Sequence, residues 1–308
     1  MADTLGGHQT PESSRPRASR VWTWVAAVVL LAVLASMTWL VLQPDTEGVA
    51  SAPATVTSAP GPTPSPTPSA PEPTPAAFAL AGLPEPRIDR LLPHELPQSD
   101  VDRLRALPGS VARPKADRTP VWAQPDATKK PVLALESAYY DAAARWLVLE
   151  RRPGWVKVLV PYGRGALPSQ DPERVNGTAG WLREDDVVLR AEKRAVLVDL
   201  SDRTITLRKA DGTRETFPAA VGAPETPTPL GLTQVFTVTE AVNTGLSVFL
   251  SMQSESLDGF YGTEYAATAI HVGVGQGQAV SNGCVRLAPG DFERFAGLDP
   301  GVPVLVTA

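Results

Sequence analysis

The stretch Ala269–Leu287, AIHVGVGQGQAVSNGCVRL, decides how this chain is read. It opens on apolar and β-branched residues that fit a strand, with His271 near the strand's end. The only cysteine of the chain, Cys284, follows within Ser281-Asn282-Gly283-Cys284-Val285-Arg286. Between them Gly273, Gly275 and Gly277 permit backbone angles closed to other residues. A cysteine nucleophile must shed its proton, although a free thiol titrates near ~8.5. An imidazole alongside takes that proton and later returns it to a leaving amine. The sulfur then attacks an amide or ester carbonyl and forms a thioester. Backbone N–H groups around Gly283 and Cys284 are expected to face the developing oxyanion. Arg286, two positions on, would share a strand face with Cys284 and is suited to a substrate carboxylate.

Around this stretch the chain from Arg194 onward alternates apolar and polar residues, with turn signals at Ser201-Asp202 and Asp211-Gly212. Strands are expected at 195–200, 204–209, 214–221, 233–239, 266–272 and 303–307, with a short helix over Gly290–Phe295. These roughly 115 residues suffice for a core of their own. Upstream, from Arg113 to Arg190, short β-branched runs are broken by turn residues: PVWAQ at 120, WLVLERR at 146, GWVKVLVP at 154 and GWLREDDVVL at 180. They predict a small β-barrel over 113–190. Its Gly154-Trp155 and Gly180-Trp181 pairs resemble those of bacterial SH3-like domains, which implies a wall-ligand or spacer role; burial of both tryptophans in a barrel core is the competing reading. Residues 78–112 form a lead-in, with a short helix expected through VDRLRAL behind Ser99 or Asp100 and ended by Pro108-Gly109.

The first 77 residues are of another kind. Val21–Leu42 is an uncharged apolar run that would make a helix of roughly 33 Å, enough for a hydrocarbon core of ~30 Å. Trp22, Trp24 and Trp39 lie near its ends, Arg15, Arg17 and Arg20 precede it, and Asp45 and Glu47 follow. The positive-inside bias then predicts a cytoplasmic tail at 1–20, a single transmembrane helix at 21–42 and everything later on the extracytoplasmic side. A cleaved signal peptide is the rival, but its apolar region is shorter, and the faint Ala35-Ser36 site sits inside the run. Residues 43–77 are rich in Pro, Thr and Ser and hold almost no large apolar side chain, so they are expected to be a disordered tether. In polyproline II such a segment spans on the order of 100 Å.

Composition closes off several functions. A net charge of −5 over 308 residues, without a basic block in the C-terminal half, argues against a nucleic-acid partner. One cysteine forbids an internal disulfide, and three scattered histidines, His8, His94 and His271, show no metal-ligand spacing.

Taken together, the motifs resemble the L,D-transpeptidase catalytic signature, in which a histidine is followed by a loop and then Ser/Thr-His-Gly-Cys. Val221-Gly222 with Thr226-Pro227-Thr228-Pro229-Leu230-Gly231 is similar to that family's Thr-Pro-x-Gly element, and Gly301-Val302-Pro303-Val304-Leu305-Val306 to its last strand. The resemblance covers roughly 194–307. It implies an all-β chain with a β-sandwich-like catalytic domain at 194–308, no cofactor, no metal, and peptidoglycan stem peptides as substrate. It further implies attack on the amide after the third residue of a tetrapeptide stem, loss of D-alanine, and transfer of the acyl group to a neighbouring stem's amine. Cys284 takes the place of the nucleophile and His271 of the base, with the Val272 carbonyl orienting the imidazole and Ser281, Gly283 and Arg286 completing the motif. Two departures stand out. Asn282 occupies the place of the family's histidine before Gly-Cys and is unable to shuttle protons, and the loop from His271 to Cys284 is a few residues short. A silent peptidoglycan-binding scaffold and an L,D-carboxypeptidase that transfers to water are the alternatives.

Overall fold

The computed structural model describes residues 78–101, 107–140 and 142–308. The cytoplasmic tail, the membrane helix and the tether expected over 1–77 lie outside these residues, as does most of the helix expected over 101–107. Among the described residues no helix is long and apolar enough to cross a membrane.

The first half builds a five-stranded antiparallel sheet. It contains β1 (Ser110–Pro114), β6 (Trp146–Arg152), β7 (Trp155–Leu159), β8 (Ala179–Arg183) and β9 (Val187–Ala191), in the order β8-β7-β6-β1-β9. Two short pairs flank it: β2 (Arg118–Val121) with β3 (Leu133–Glu136), and β4 (Ala138–Tyr139) with β5 (Ala142–Ala143). Alternate residues face one cluster that includes Trp146, Val148, Val156, Val158 and Leu182. Of the two Gly-Trp pairs, Trp181 is buried beneath the Arg152 guanidinium, 4.7 Å from its ring centre, and Trp155 stacks edge-on against Trp122 at 5.3 Å. GWLREDDVVL, read as one strand, is two. Glu184–Asp186 form a 3₁₀ turn between β8 and β9 that keeps three adjacent carboxylates out of the core. The lead-in also differs from a separate segment, because Leu92 and Leu96 lie in the same core and Arg118 donates to the carbonyls of Leu80 and Leu83 at 2.6 and 3.1 Å.

The second half is an eight-stranded sheet: β10 (Ala195–Asp199), β11 (Thr204–Arg208), β12 (Arg214–Pro218), β14 (Gly231–Ala241), β15 (Gly245–Gln253), β16 (Ala267–Val272), β18 (Val285–Leu287) and β19 (Pro303–Thr307). Its order is β12-β11-β10-β19-β14-β15-β16-β18. A separate parallel pair joins β13 (Val221–Gly222) to β17 (Ala279–Ser281). The long β14 bends the sheet: Gly231–Gln234 pair with β19, the register shifts between Val235 and Thr237, and the remainder pairs with β15. One apolar cluster is shared by both halves of the bent sheet and roofed by Phe292, Phe295 and Leu298, from the short helix α1 (Pro289–Phe292) and the turn after it. Truncating a buried ring such as Phe295 there would cost about 3–5 kcal/mol.

The run expected as one strand over 214–221 divides at Pro218, which has no N–H to continue the ladder; Val221 and Gly222 then turn to β17. β15 was absent from the sequence expectation altogether.

The two halves share buried contacts. Leu232 and Leu305 on the outer face of the second sheet meet Val111, Leu147 and Leu159 of the first. Between them the fully buried Gln234 accepts from the Leu147 N–H at 2.6 Å and donates to the Leu159 carbonyl at 3.1 Å. Gln234→Ala leaves two buried backbone groups unpaired, so we expect a loss of roughly 2–4 kcal/mol in urea unfolding of the chain. A change within about 0.5 kcal/mol would show that this bridge contributes little.

Candidate active site

The two sequence neighbourhoods of interest are brought together by one short parallel ladder. β16 and β18 pair with Ile270 opposite Val285, His271 opposite Arg286 and Val272 opposite Leu287. Parallel neighbours need a crossover between them, and residues 273–284 supply it, sending out β17 to pair with β13 on the way. His271 and Cys284 line one cleft of about 750 Å3, together with Asn282 and Arg286. That volume lies within the range of about 300–1,000 Å3 common to small-ligand sites.

His271 is 6% exposed. Its Nδ1 lies 2.8 Å from the Val272 carbonyl. A carbonyl oxygen only accepts, so Nδ1 carries the hydrogen and Nε2 keeps its lone pair. Burial lowers the imidazole below its ordinary 6.5; the Val272 bond opposes this and the positive charge of Arg286 adds to it. Cys284 is half-buried and reduced. Burial raises its thiol above the ordinary value, while the Ala269 backbone and the Arg286 charge pull it back. The resting pair is therefore a neutral thiol with a neutral imidazole, suited to proton transfer during attack rather than before it.

The turn before the cysteine is pinned by one hydroxyl. Ser281 Oγ donates to the Cys284 carbonyl at 2.6 Å and accepts from the Gly283 N–H at 3.2 Å. Gly283 stands at φ +103°, the left-handed region that glycine enters without steric cost. The Gly283 N–H is thus taken up by the Ser281 hydroxyl within the turn. The Cys284 N–H has no acceptor among the described residues. The Thr-Pro segment supports the turn from behind. Thr226 Oγ1 and the Ala223 N–H both donate to the Ser281 carbonyl, at 3.0 and 2.8 Å, and Thr228 Oγ1 accepts from the Gly222 N–H at 2.9 Å. A Cβ at Gly222 would lie 2.2 Å from the Thr228 nitrogen, so the close approach requires glycine.

Arg286 is half-buried, with its stem packed over Gly273 and no carboxylate partner among the described residues. Asn282 is exposed on the cleft rim. Val272 contributes its carbonyl, while its side chain points away from burial at 39% exposure. Tyr261 and Tyr265 line the cleft, as do Phe236, Phe249 and Phe260. Tyr140 and Ile88, from the first half of the described chain, line it too, and no motif flagged them.

Two outcomes follow from this geometry. The rate of Cys284 acylation should rise with pH through an inflection below 6.5, because protonated His271 is unable to accept the thiol proton. It should then stay level through the ordinary thiol range; a profile governed by an inflection there would mean the thiolate forms without His271. Ser281→Ala frees the turn and should slow acylation roughly 10- to 100-fold, measured by single-turnover mass spectrometry, with the fold retained by circular dichroism.

Residues 193–306 match the family model described as YkuD, the L,D-transpeptidase catalytic domain. No curated protein matches the chain. Among solved structures the chain is similar to an L,D-transpeptidase (Yku) from Stackebrandtia nassauensis, at 21% identity and a TM-score of 0.29, over 38% of this chain and 56% of that one. It is also similar to an L,D-transpeptidase from Mycobacterium tuberculosis H37Rv, at 16% identity and a TM-score of 0.34, over 56% of this chain and 97% of that one. A third is the catalytic domain of an E. faecium L,D-transpeptidase, at 23% identity and a TM-score of 0.29, over 38% of this chain and 98% of that one. The family match thus covers residues 193–306 and leaves residues 1–192 outside it.

Proposed function

We propose that the chain is a membrane-anchored L,D-transpeptidase that works on peptidoglycan stems through a Cys284 thioester. The observation that carries this reading is the placement of a half-buried lone cysteine and an oriented imidazole in one cleft, within the segment that matches the family. In the first step Sγ attacks the carbonyl carbon of the third stem residue, and its proton passes to His271 Nε2. The Cys284 N–H stabilises the developing oxyanion. Collapse breaks the C–N bond, His271 returns the proton to the nitrogen of D-alanine, and the acyl group stays on sulfur. An acceptor stem's amine then attacks the thioester, gives its proton to His271 and leaves with the acyl group as a new amide, while the thiolate recovers that proton. Arg286, without a carboxylate partner among the described residues, holds a substrate carboxylate.

In this proposal residues 21–42 anchor the chain in the membrane, and 43–77 carry the catalytic domain out to the wall on the extracytoplasmic side. Asn282 binds by hydrogen bonds at the cleft rim and has no part in moving protons, which leaves His271 to serve both half-reactions.

Intact-mass spectrometry of the full chain in detergent, after incubation with a carbapenem, tests the thiol. One adduct, lost in Cys284→Ala, is expected, and Cys284→Ala should lower transpeptidation by at least about 10³-fold. A tetrapeptide donor with and without an acceptor amine then separates cross-link formation from release to water. Wild-type turnover in Cys284→Ala would sink the mechanism. A folded, reduced chain that takes no adduct would favour a silent wall-binding scaffold.

A further inference from the structure

The loop between β15 and β16, residues 254–266, forms one wall of the cleft through Phe260, Tyr261 and Tyr265. From 255 to 265 every side chain is exposed or half-buried, and none belongs to an apolar core cluster. Burial therefore does not hold its shape, and such segments open easily unless polar contacts restrain them. The loop is nonetheless tightly closed. Phe260 N–H donates to the Tyr265 carbonyl at 3.0 Å, and the Thr263 N–H to the Phe260 carbonyl at 2.8 Å. Tyr261 sits at φ +48° with 83% of its surface exposed, a conformation bulky side chains rarely adopt without outside support.

That support comes from the other half of the chain. Arg164 is 2% exposed, and its Nη2 donates to the carbonyls of Asp258 and Glu264, at 2.6 and 2.8 Å, so that one guanidinium grips both ends of the wall. Ser169 adds its N–H and hydroxyl to the Asp258 carboxylate, at 3.0 and 2.7 Å. Asn176 bonds the Gln253 N–H and carbonyl, at 2.8 and 2.9 Å. All three residues lie outside the segment that matches the family.

We infer that Arg164 is a positioning residue of the cleft: from outside the catalytic domain it sets the shape of the 258–265 wall against which substrate binds. The assignment of that wall to stem-peptide binding rests on the transpeptidase reading; the grip itself does not. The first sheet and its loops are thereby part of the active site rather than a spacer. The wall touches substrate away from the reacting carbonyl, so its loss weakens donor binding more than chemistry.

The test uses the full chain in detergent, with Arg164→Met to remove the donors at similar length and Arg164→Lys to keep the charge on a single donor group. Arg164→Met should raise KM for the tetrapeptide donor about tenfold with kcat within about twofold, and leave the His271 inflection in place. Arg164→Lys should recover part of the KM. Hydrogen exchange should speed up at the Phe260 and Thr263 amides, while Ile270 and Val285 stay protected. If Arg164→Met fails to fold, Ser169→Ala, at the exposed anchor, should show the same changes at about threefold. Unchanged loop exchange and KM in the folded variant overturn the positioning role, whatever the wild-type turnover. Released exchange in a chain whose wild type turns over no stem peptide would support the grip and overturn the transpeptidase reading instead.

Discussion

The active-site geometry depends on the parallel pairing of β16 with β18. Three residue pairs place His271 opposite Arg286 and bring Cys284, one residue before the ladder, alongside the same strand. A slip of one residue would turn each of these side chains to the opposite face, because strand side chains alternate. The pairing also brings the Arg286 charge near both titrating groups. That charge disfavours imidazolium and favours thiolate, so it opposes the desolvation of the sulfur while adding to the desolvation of the ring.

A ladder this short needs outside support, and the turn chemistry supplies it. Ser281 closes the Ser-Asn-Gly-Cys turn by bonding on both sides of it, and the Thr-Pro segment holds the Ser281 carbonyl in turn. The result separates two backbone donors that are adjacent in sequence. The Gly283 N–H is taken up by the Ser281 hydroxyl, and the Cys284 N–H has no acceptor among the described residues. Serine in this turn is thus a framing residue, and glycine is there for its positive φ.

The two halves of the described chain are joined by polar contacts as much as by apolar ones. Gln234 satisfies two backbone groups of the first sheet, and Arg145 with Arg194 converges on Asp299, at 3.1 and 2.8 Å. Arg164 and Asn176 extend the same joint to the cleft wall. Removing a buried partner of this joint, such as Gln234, costs more than the bond itself, since the remaining groups are left desolvated. The joint explains why residues 78–191 lie close to the cleft and contribute Ile88 and Tyr140 to it.

Local pattern carried the strands of the second half well, because alternation over five or more residues with a turn signal at each end has few other solutions. It carried the His271–Cys284 neighbourhood too, since a lone cysteine after glycine and behind a strand-end histidine is a chemical pattern as much as a structural one. It failed where pairing, not pattern, decides. GWLREDDVVL reads as one strand until three carboxylates must leave the core, and β15 is recruited by its neighbours β14 and β16. The anchoring of the cleft wall was illegible for the same reason: Arg164 bonds the carbonyls of Asp258 and Glu264, which lie 94 and 100 residues after it. Sequence alone thus determined the β-rich character of the chain, the apolar run at 21–42, and which residue types could carry thiol chemistry. Only the tertiary structure decided which N–H the turn takes up and which distant residues line the cleft, because hydrogen-bond partners across sheets are set by packing and leave no periodic trace.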